Sequence, residues 1–408
     1  MTYLDVFITR GANRGQLSAQ SGQNDELFVS EGPVLRNLAS EQGIEKSACP
    51  GRHTRLTDFN QDDLIDIYVT CGRERPPNKN YPNQLYVQQS RGQFKDLASD
   101  LSVDLGTQGP VIWADLNGDR LPDLIQATGE SVQILRHQTS GAATAETPFV
   151  KTELPLSADS AIQQILAADF DRDGDQDLFC VSSTESLLGL NDGDRIDIQP
   201  AEQWGLPATS VSANWLDLDQ DGTLEFYSFP AGLYRQTQSG QFQGSPLLRS
   251  NQSWSGMTGF SNWFDADNDG DLDLLITHSQ RLSLWQRIYR RFWSGEHAVL
   301  GRPGQFLLYL NDSAAKSNHW LSLDLVGLPG NQQALNATVK AETDGMMQQL
   351  PVGFAEASHH SQGHYRLYFG LGPSTQVKAL TVTWSNGKVS QLTGIDSDQH
   401  LTIHQDAG

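Results

Sequence analysis

Five nine-residue segments of the chain place oxygen-bearing side chains at the same four positions. They have Asp at positions 1 and 5, Asp or Asn at position 3 and Asp or Glu at position 9, and we number them loops 1 to 5: residues 58–66, 115–123, 169–177, 217–225 and 265–273. A tight loop with this spacing converges several carboxylates on one hard cation, and the backbone carbonyl at position 7 adds a ligand. Because Ca²⁺ accepts about six to eight oxygens in flexible geometry whereas Mg²⁺ requires near-octahedral order, the pattern predicts calcium.

The predicted metal ligands are the side chains at positions 1, 3, 5 and 9, which amounts to about five Ca²⁺ sites. In chain order these ligands are Asp58, Asn60, Asp62, Asp66, Asp115, Asn117, Asp119, Asp123, Asp169, Asp171, Asp173, Asp177, Asp217, Asp219, Asp221, Glu225, Asp265, Asp267, Asp269 and Asp273. Loops 3, 4 and 5 carry Gly at position 6, where loops 1 and 2 carry Asp63 and Arg120. Since residues other than glycine adopt a left-handed turn less readily, we expect loops 1 and 2 to be weaker or distorted.

Two other interpretations of acidic loops have to be weighed against calcium hairpins. An EF-hand loop also opens with alternating Asp residues, but it closes with a bidentate Glu at position 12 and lies between two helices. Position 12 here is Val69, Gln126, Cys180, Ser228 or Ile276, and both flanks of each loop are strand-like. Asx turns without metal are the second alternative. Five loops in one register favour a cation, because carboxylates a few ångströms apart repel one another without it.

The spacing of the loops predicts a repeated β-unit. A short apolar or aromatic stretch such as 110–114 or 212–216 precedes a loop, a β-rich stretch such as 66–70 or 273–277 follows it, and a further strand comes next. Three to four strands per period are typical of a propeller blade. Residues 3–9 match the stretch that follows a loop, so the chain is expected to begin inside an incomplete blade. Residues 1–317 are predicted to form a β-propeller of six to seven blades, with a solenoid or a sandwich carrying five insertions as the alternative.

The pattern changes at about residue 318. Acidic loops stop, and short alternating strands are predicted at 320–325, 365–369 and 377–384, the last followed by an Asn386-Gly387 turn. Such strands predict a small antiparallel β-sandwich in residues 318–408. The whole chain is therefore predicted to be all-β, a propeller with calcium-binding hairpin loops followed by a sandwich.

Charge and composition exclude several classes of protein. The 408 residues carry 28 Lys+Arg against 49 Asp+Glu, a formal net charge of −21, which argues against nucleic acid as a partner. No stretch approaches the length of an apolar membrane span, so no membrane insertion is expected, and residues 1–30 lack a signal-peptide pattern. Cys49 and Cys71 lie close enough in sequence to form a disulfide, with two separate thiols as the alternative.

These residues resemble two known families. The acidic loops with their strands resemble FG-GAP/VCBS repeats of the integrin-α type, and the segments 318–321, 364–372 and 382–387 resemble parts of the ASPIC/UnbV domain. Their order along the chain is similar to that of the cartilage acidic protein family. The resemblance implies a secreted, periplasmic or cell-surface protein that binds calcium. It also implies an interaction or adhesion function with a protein or glycan partner of the cell surface or matrix, and no established catalytic residues.

No motif of a nucleophile elbow, phosphate-binding loop or zinc protease is present, so no catalytic residue is predicted and the chain is expected not to be an enzyme. The alternative is an enzyme, or a binder of a small molecule or glycan, that uses the central channel of the propeller. His359, His360 and His364 are a further candidate for a transition-metal site, with an exposed loop as the alternative.

Overall fold

A computed structural model of the chain describes residues 5–9, 25–44, 49–72, 81–129, 131–138, 148–156, 162–193, 195–246, 248, 257–280, 304–311, 317–353 and 362–406. Within these residues the regular structure is β-strand, apart from a 3₁₀ turn at Ala201–Trp204. The prediction of an all-β chain is thereby confirmed. None of the described residues forms a helix with the length and apolarity needed to cross a lipid bilayer.

Six antiparallel sheets precede residue 312 in the described ranges, and in each of them the strands are neighbours in chain order. The first two sheets contain β1 (Val6–Ile8), β2 (Glu26–Glu31) and β3 (Val34–Asn37), then β4 (Gly51–Thr57), β5 (Asp66–Cys71), β6 (Gln84–Ser90) and β7 (Gln93–Asp96). The next two contain β8 (Val111–Ala114), β9 (Asp123–Ala127), β10 (Ser131–His137) and β11 (Phe149–Pro155), then β12 (Ile162–Ala168), β13 (Asp177–Ser182), β14 (Leu187–Asn191) and β15 (Ile196–Pro200). The last two contain β16 (Ser212–Leu216), β17 (Glu225–Phe229), β18 (Gly232–Gln236) and β19 (Phe242–Gly244), then β20 (Met257–Phe264), β21 (Asp273–Gln280) and β22 (Gly304–Tyr309).

Each acidic loop joins the first strand of a sheet to its second strand. Loop 1 links β4 to β5, and loops 2 to 5 link β8 to β9, β12 to β13, β16 to β17 and β20 to β21. Four of the second strands are buried along their whole length: every residue of β5, β9, β13 and β17 is buried. Their β-branched and aromatic residues suit a strand that is covered on both faces.

Apolar cores lie between consecutive sheets rather than within one sheet. Phe170 and Trp215 stack with their ring centroids 5.5 Å apart, and the rings of Phe179 and Phe226 are 4.5 Å apart, which ties the sheet that begins with β12 to the sheet that begins with β16. The first strands also lie next to one another in chain order, β4 against β8, β8 against β12, β12 against β16 and β16 against β20. All five loops therefore emerge at the same ends of adjacent strands.

Cys49 and Cys71 form a disulfide, so the first of the two alternatives for these residues is the one observed. Their Cα atoms are 5.2 Å apart, which lies within the usual range for a disulfide. Cys180 is buried and free. The bond ties the residues just before β4 to the end of β5.

The C-terminal unit, residues 317–353 and 362–406, contains two sheets around a core of its own. Its strands are β23 (His319–Val326), β24 (Thr338–Glu342), β25 (Met347–Pro351), β26 (Leu367–Gly372), β27 (Gln376–Thr383), β28 (Val389–Asp396) and β29 (Gln399–His404). The expectation of a purely antiparallel sandwich is wrong in one respect, because β29 pairs with β23 in parallel. After β28 in one sheet the chain crosses to the other and runs beside β23 in the same direction, a connection that alternation of side chains does not reveal.

Candidate metal centre

The five loops share one backbone conformation with two left-handed residues. Positions 4 and 6 have positive φ in every loop, including Asp63 at 62° and Arg120 at 70°, where the other three loops have glycine. The expected distortion of loops 1 and 2 is therefore not seen in their backbone, which follows the same path at a steric cost of about 1–2 kcal/mol per non-glycine residue. The left-handed residue at position 4 was not expected from the sequence, because it is glycine only at Gly118.

This backbone aims amide groups at the carboxylates of positions 1 and 5. In loop 5 the N–H groups of Asp269 and Gly270 donate to the two oxygens of Asp265, each at 3.1 Å, and the N–H of Asp271 donates to Asp269 Oδ1 at 2.9 Å. In each of the other loops an amide at position 5 or 6 likewise donates to the carboxylate at position 1, and the amide at position 7 donates to that of position 5. The carboxylates are thus held in one orientation.

The carboxylate at position 9 comes from the first residue of each second strand and faces back toward the loop. One oxygen of Asp66, Asp123, Asp177 or Asp273 accepts a backbone N–H at 2.8–2.9 Å from a residue within two positions of the end of the third strand of its sheet. Glu225 accepts the N–H of Leu218, at position 2 of its own loop, at 2.7 Å. Asp123 and Asp273 accept the equivalent N–H groups of Leu116 and Ala266 with their second oxygens. The acidic residue at position 9 therefore links each loop to the body of its sheet.

Burial makes these carboxyl groups hard to ionise in the absence of a cation. Burial, together with neighbouring carboxylates in the same loop, raises the pKa of Asp66, Asp177 and Glu225 to about 8. The pKa of Asp123 and Asp217 is raised to about 7 for the same two reasons. Such shifts mark acids whose charge is not compensated by the surrounding protein groups.

Several of these carboxylates also have an oxygen that no donor reaches. Within the described residues, the buried atoms without a hydrogen-bond partner include Asp66 Oδ2, Asp115 Oδ1, Asp169 Oδ1, Asp177 Oδ2 and Asp219 Oδ1. Buried polar atoms of native proteins are nearly always paired. Because each belongs to a predicted metal ligand and faces other carboxylates, a hard cation fits these sites.

In three loops the structure brings acidic ligand atoms close enough together to hold a metal ion. Ligand atoms of Asp169, Asp171 and Asp173 lie within 4.8 Å of one another, and so do those of Asp217, Asp219 and Glu225 and those of Asp265, Asp267 and Asp269. These are the three loops with Gly at position 6. Loops 1 and 2 have Asn at position 3, and Asn60 and Asn117 donate to Asp62 and Asp119 at 2.9 and 3.0 Å, so these loops have fewer negative charges.

Loop 4 has a basic neighbour that sequence reasoning missed. A guanidinium nitrogen of Arg235, on β18, lies 3.0 Å from Asp219 Oδ2, and its Nε lies 3.6 Å from Glu225 Oε1. This guanidinium supplies positive charge to two of the predicted ligands. Nine residues separate it from the end of loop 4, and no pattern in the loop itself points to it.

The C-terminal unit lies directly on loops 1, 4 and 5. Gly372 donates its N–H to the carbonyl of Gln220 in loop 4 at 2.9 Å, and Tyr368 accepts the N–H of Asp265 in loop 5 at 3.2 Å. Arg366 donates to Asn268 of loop 5 at 3.0 Å. The contacts with loop 1 involve Ser385 and three Asn residues. The sequence predicted the loops and the C-terminal strands separately and gave no signal for this contact.

A cavity of about 430 Å³ lies between the C-terminal unit and the first strands of four sheets. Its walls include Arg55, Trp113 and Trp215 on one side and Gln349 and Thr383 on the other. His359 and His360 lie outside the described residues, and His364 forms a 3.0 Å hydrogen bond with the hydroxyl of Tyr368.

Comparison with known families matches both parts of the chain. The FG-GAP-like repeat model matches residues 58–126, 115–180 and 169–228, and each match begins at the first Asp of a loop. The model named ASPIC and UnbV matches residues 327–408. The chain contains FG-GAP-like repeats and an ASPIC and UnbV domain. The family resemblance drawn from the sequence is thereby confirmed, and loop 5, outside the matched repeats, shares their backbone conformation.

The chain matches its curated relatives over only part of their length. It is 30% identical to cartilage acidic protein 1 of Mus musculus over 246 residues, which is 56% of this chain and 34% of the mouse protein. It is 29% identical to cartilage acidic protein 1 of Xenopus tropicalis over 148 residues, 36% of this chain and 22% of the frog protein. The chain thus matches about a third or less of the length of these relatives.

Solved structures resemble the chain only distantly. One is an Agrocybe aegerita lectin that recognises non-reducing terminal N-acetylglucosamine, with a TM-score of 0.43 and 16% identity over 63% of this chain and 71% of the lectin. Another is the Vibrio cholerae biofilm matrix protein Bap1, with a TM-score of 0.40 and 13% identity over 84% of this chain and 59% of that protein.

Proposed function

We propose that this protein binds Ca²⁺ in its five hairpin loops and that the bound ions hold the repeat region together. The observation that carries the proposal is the set of buried carboxylate oxygens without a donor, one or more in each of loops 1 to 4. A cation at each loop would compensate the charge that burial leaves unfavourable. Five Ca²⁺ would change the formal net charge from −21 to about −11.

We infer further that the repeat sheets close into a β-propeller. The side-by-side order of the first strands, from β4 to β20, supports a radial arrangement with these strands innermost. The sheet of β1 to β3 would then be a sixth unit next to that of β20 to β22.

The protein would act outside the cytoplasm as a non-enzymatic interaction or adhesion module. The Cys49–Cys71 disulfide supports an oxidising compartment, and millimolar extracellular calcium suits exposed loops of moderate affinity. Similarity to cartilage acidic protein 1 supports a partner of the cell surface or matrix, either a protein or a glycan.

Calorimetry tests the calcium proposal directly. The wild type should bind several Ca²⁺, and its melting temperature should drop clearly when the ions are removed by a chelator. A site with a dissociation constant of about 0.1 mM would stabilise the fold by about 1.4 kcal/mol at about 1 mM calcium. Asp269→Ala should remove one site, whereas Asp100→Ala, an exposed residue outside the loops, should remove none. Absence of binding in the wild type would overturn the proposal.

The cavity between the two parts of the chain supports a second candidate function, a site for a small molecule or glycan. Its volume and its position between structural units are typical of ligand sites, and Trp113 Nε1 is a buried donor without a partner within the described residues. A glycan array probed with wild type and with Gln349→Trp, which would fill the cavity, tests this candidate. Binding by the wild type that the variant loses would support it, and no binding by the wild type would remove it.

A further inference from the structure

The C-terminal unit donates two hydrogen bonds to the first ligand of loop 1. Ser385 Oγ donates to Asp58 Oδ2 at 2.5 Å, and Asn331 Nδ2 approaches the same oxygen at 3.4 Å. Asp58 is fully buried, and Ser385 and Asn331 are 5% and 2% exposed. The environment of this carboxylate is therefore built from two parts of the chain that are more than 270 residues apart in sequence.

Other contacts fix the backbone of the same loop. Asn336 accepts the N–H of Asp58 and donates to its carbonyl, both at 3.3 Å. Asn386 Nδ2 donates to Asp63 Oδ2 at 2.8 Å, and Ile65 donates its N–H to the carbonyl of Gly330 at 3.2 Å. The C-terminal unit thus holds loop 1 at its first, sixth and eighth positions, including the left-handed Asp63, where loops 3 to 5 have glycine.

These contacts do not compensate the negative charge of the loop 1 carboxylates. Asp66 is fully buried, its Oδ2 has no hydrogen-bond partner within the described residues, and Asp58 and Asp62 are the neighbouring charges. The hydrogen bonds from Ser385 and the loop amides orient Asp58 but bring no formal charge. A cation between Asp58, Asp62 and Asp66 would supply it.

We propose that the C-terminal unit completes loop 1 as a cation site, so that cation binding at Asp58 and docking of this unit are linked. The inference rests on the proposed calcium binding. Outer hydrogen bonds that orient ligands typically change metal affinity by about 10–100-fold. By reciprocity, a docked C-terminal unit that strengthens cation binding is itself held more firmly by the bound cation.

Loop 3 offers a matched comparison within the same chain. Its carboxylates accept amides of loop 3 itself and of the adjoining β14, and its Arg172 contacts Thr223 of loop 4. Within the described residues it has no hydrogen bond from the C-terminal unit. Loss of a cation from loop 3 should therefore leave the docking unchanged.

The experiment combines a calcium titration with hydrogen exchange on the full chain. Chelation of the wild type should increase exchange at residues 330–336 and 384–387 at least about tenfold, while the inner strands β24 and β27 stay protected. Asp171→Asn should remove the cation of loop 3 without this effect. Ser385→Ala should lower the affinity of one site about tenfold or more. Asn386→Ala should also lower the affinity of one site. Because Asn386 is partly exposed, this substitution disturbs folding less than Ser385→Ala.

The outcomes separate this inference from the calcium proposal. If calcium binds but chelation leaves exchange at 330–336 unchanged, or if Ser385→Ala and Asn386→Ala leave every site within twofold of the wild type, the linkage is wrong and calcium binding stands. If Asp171→Asn increases hydrogen exchange at residues 330–336 as much as chelation does, the effect is global, and the inference of a specific role for loop 1 is wrong. If the wild type binds no cation, both proposals fail.

Discussion

Gly370 of the C-terminal unit lies against Asp217, the first residue of loop 4. A Cβ on Gly370 would overlap the Asp217 carboxylate and would lie 2.6 Å from the Cα of Gln220. The backbone φ of Gly370 is not in the left-handed region. The glycine is therefore needed because loop 4 approaches it closely, and not because its backbone conformation is unusual. Glycine is thus required here by the contact between two parts of the chain.

Substitution of Gly370 should weaken the docking of the C-terminal unit. Gly370→Ala forces loop 4 and β26 apart, because the overlap involves backbone atoms that cannot rotate away. We expect a loss of about 1–3 kcal/mol in the free energy of unfolding and faster hydrogen exchange at 217–222. Gly363→Ala is the control, since a Cβ there meets no atom within 4 Å. Equal exchange in both variants would contradict the prediction.

The stability of the metal-free protein should fall as the pH rises. The pKa of Asp177 is raised to about 8, above its value of about 4 in an unfolded chain. Its stabilising effect is therefore complete below about pH 4 and is lost as the pH rises through about 8. Calcium should reverse the trend, because it binds the ionised carboxylates.

The variant Asp177→Asn tests the contribution of this residue to the pH dependence, since its amide side chain stays neutral at every pH. Between about pH 5 and pH 8 the melting temperature of the metal-free variant should fall less than that of the wild type, by at least about 2–4 °C, the shift that 1 kcal/mol produces in a domain of 150–250 residues. The variant should also gain less from calcium at pH 8. Identical pH profiles for the two metal-free proteins would show that Asp177 does not carry this effect.

Removal of the guanidinium beside loop 4 should strengthen cation binding there. Arg235 contacts Asp219 and Glu225, so its charge repels an incoming Ca²⁺ at a distance of a few ångströms. Arg235→Gln should raise the affinity of one site about tenfold, or about 1.4 kcal/mol, in a calorimetric titration. Arg195→Gln, which removes an exposed pair with Asp197, is the control. Weaker binding in Arg235→Gln would mean instead that Arg235 holds the ligands in place.

The disulfide should account for a measurable part of the stability. The half-cystines Cys49 and Cys71 are 22 positions apart, and closing a loop of about this length stabilises a fold by about 3 kcal/mol in the chain-entropy account. The double variant Cys49→Ala, Cys71→Ala should lose about that amount in denaturant unfolding. Alkylation of the unfolded, unreduced protein should modify Cys180 alone, and modification of all three cysteines would contradict the bond.

The loops and the strands beside them could be predicted from the sequence because their determinants are local. Asp at position 1 and the acid at position 9 recur in one register, and the observed β16 (Ser212–Leu216) coincides with the stretch predicted before loop 4. Alternating and β-branched residues similarly predicted β23 and β27 to within one residue. The number of sites and the identity of the ligands remain predictions that follow from this pattern.

Only the tertiary structure decided which distant residues meet. Three contacts show this: the parallel pairing of β29 with β23, the approach of Arg235 to Glu225 and the hydrogen bond from Ser385 to Asp58. In each of them the residue types do not indicate which distant residue is the partner. Local backbone preferences and hydrophobic periodicity act within a few residues. Contacts between sheets and units depend on how whole surfaces fit together, so the loops followed from the sequence, whereas the distant residues that contact them did not.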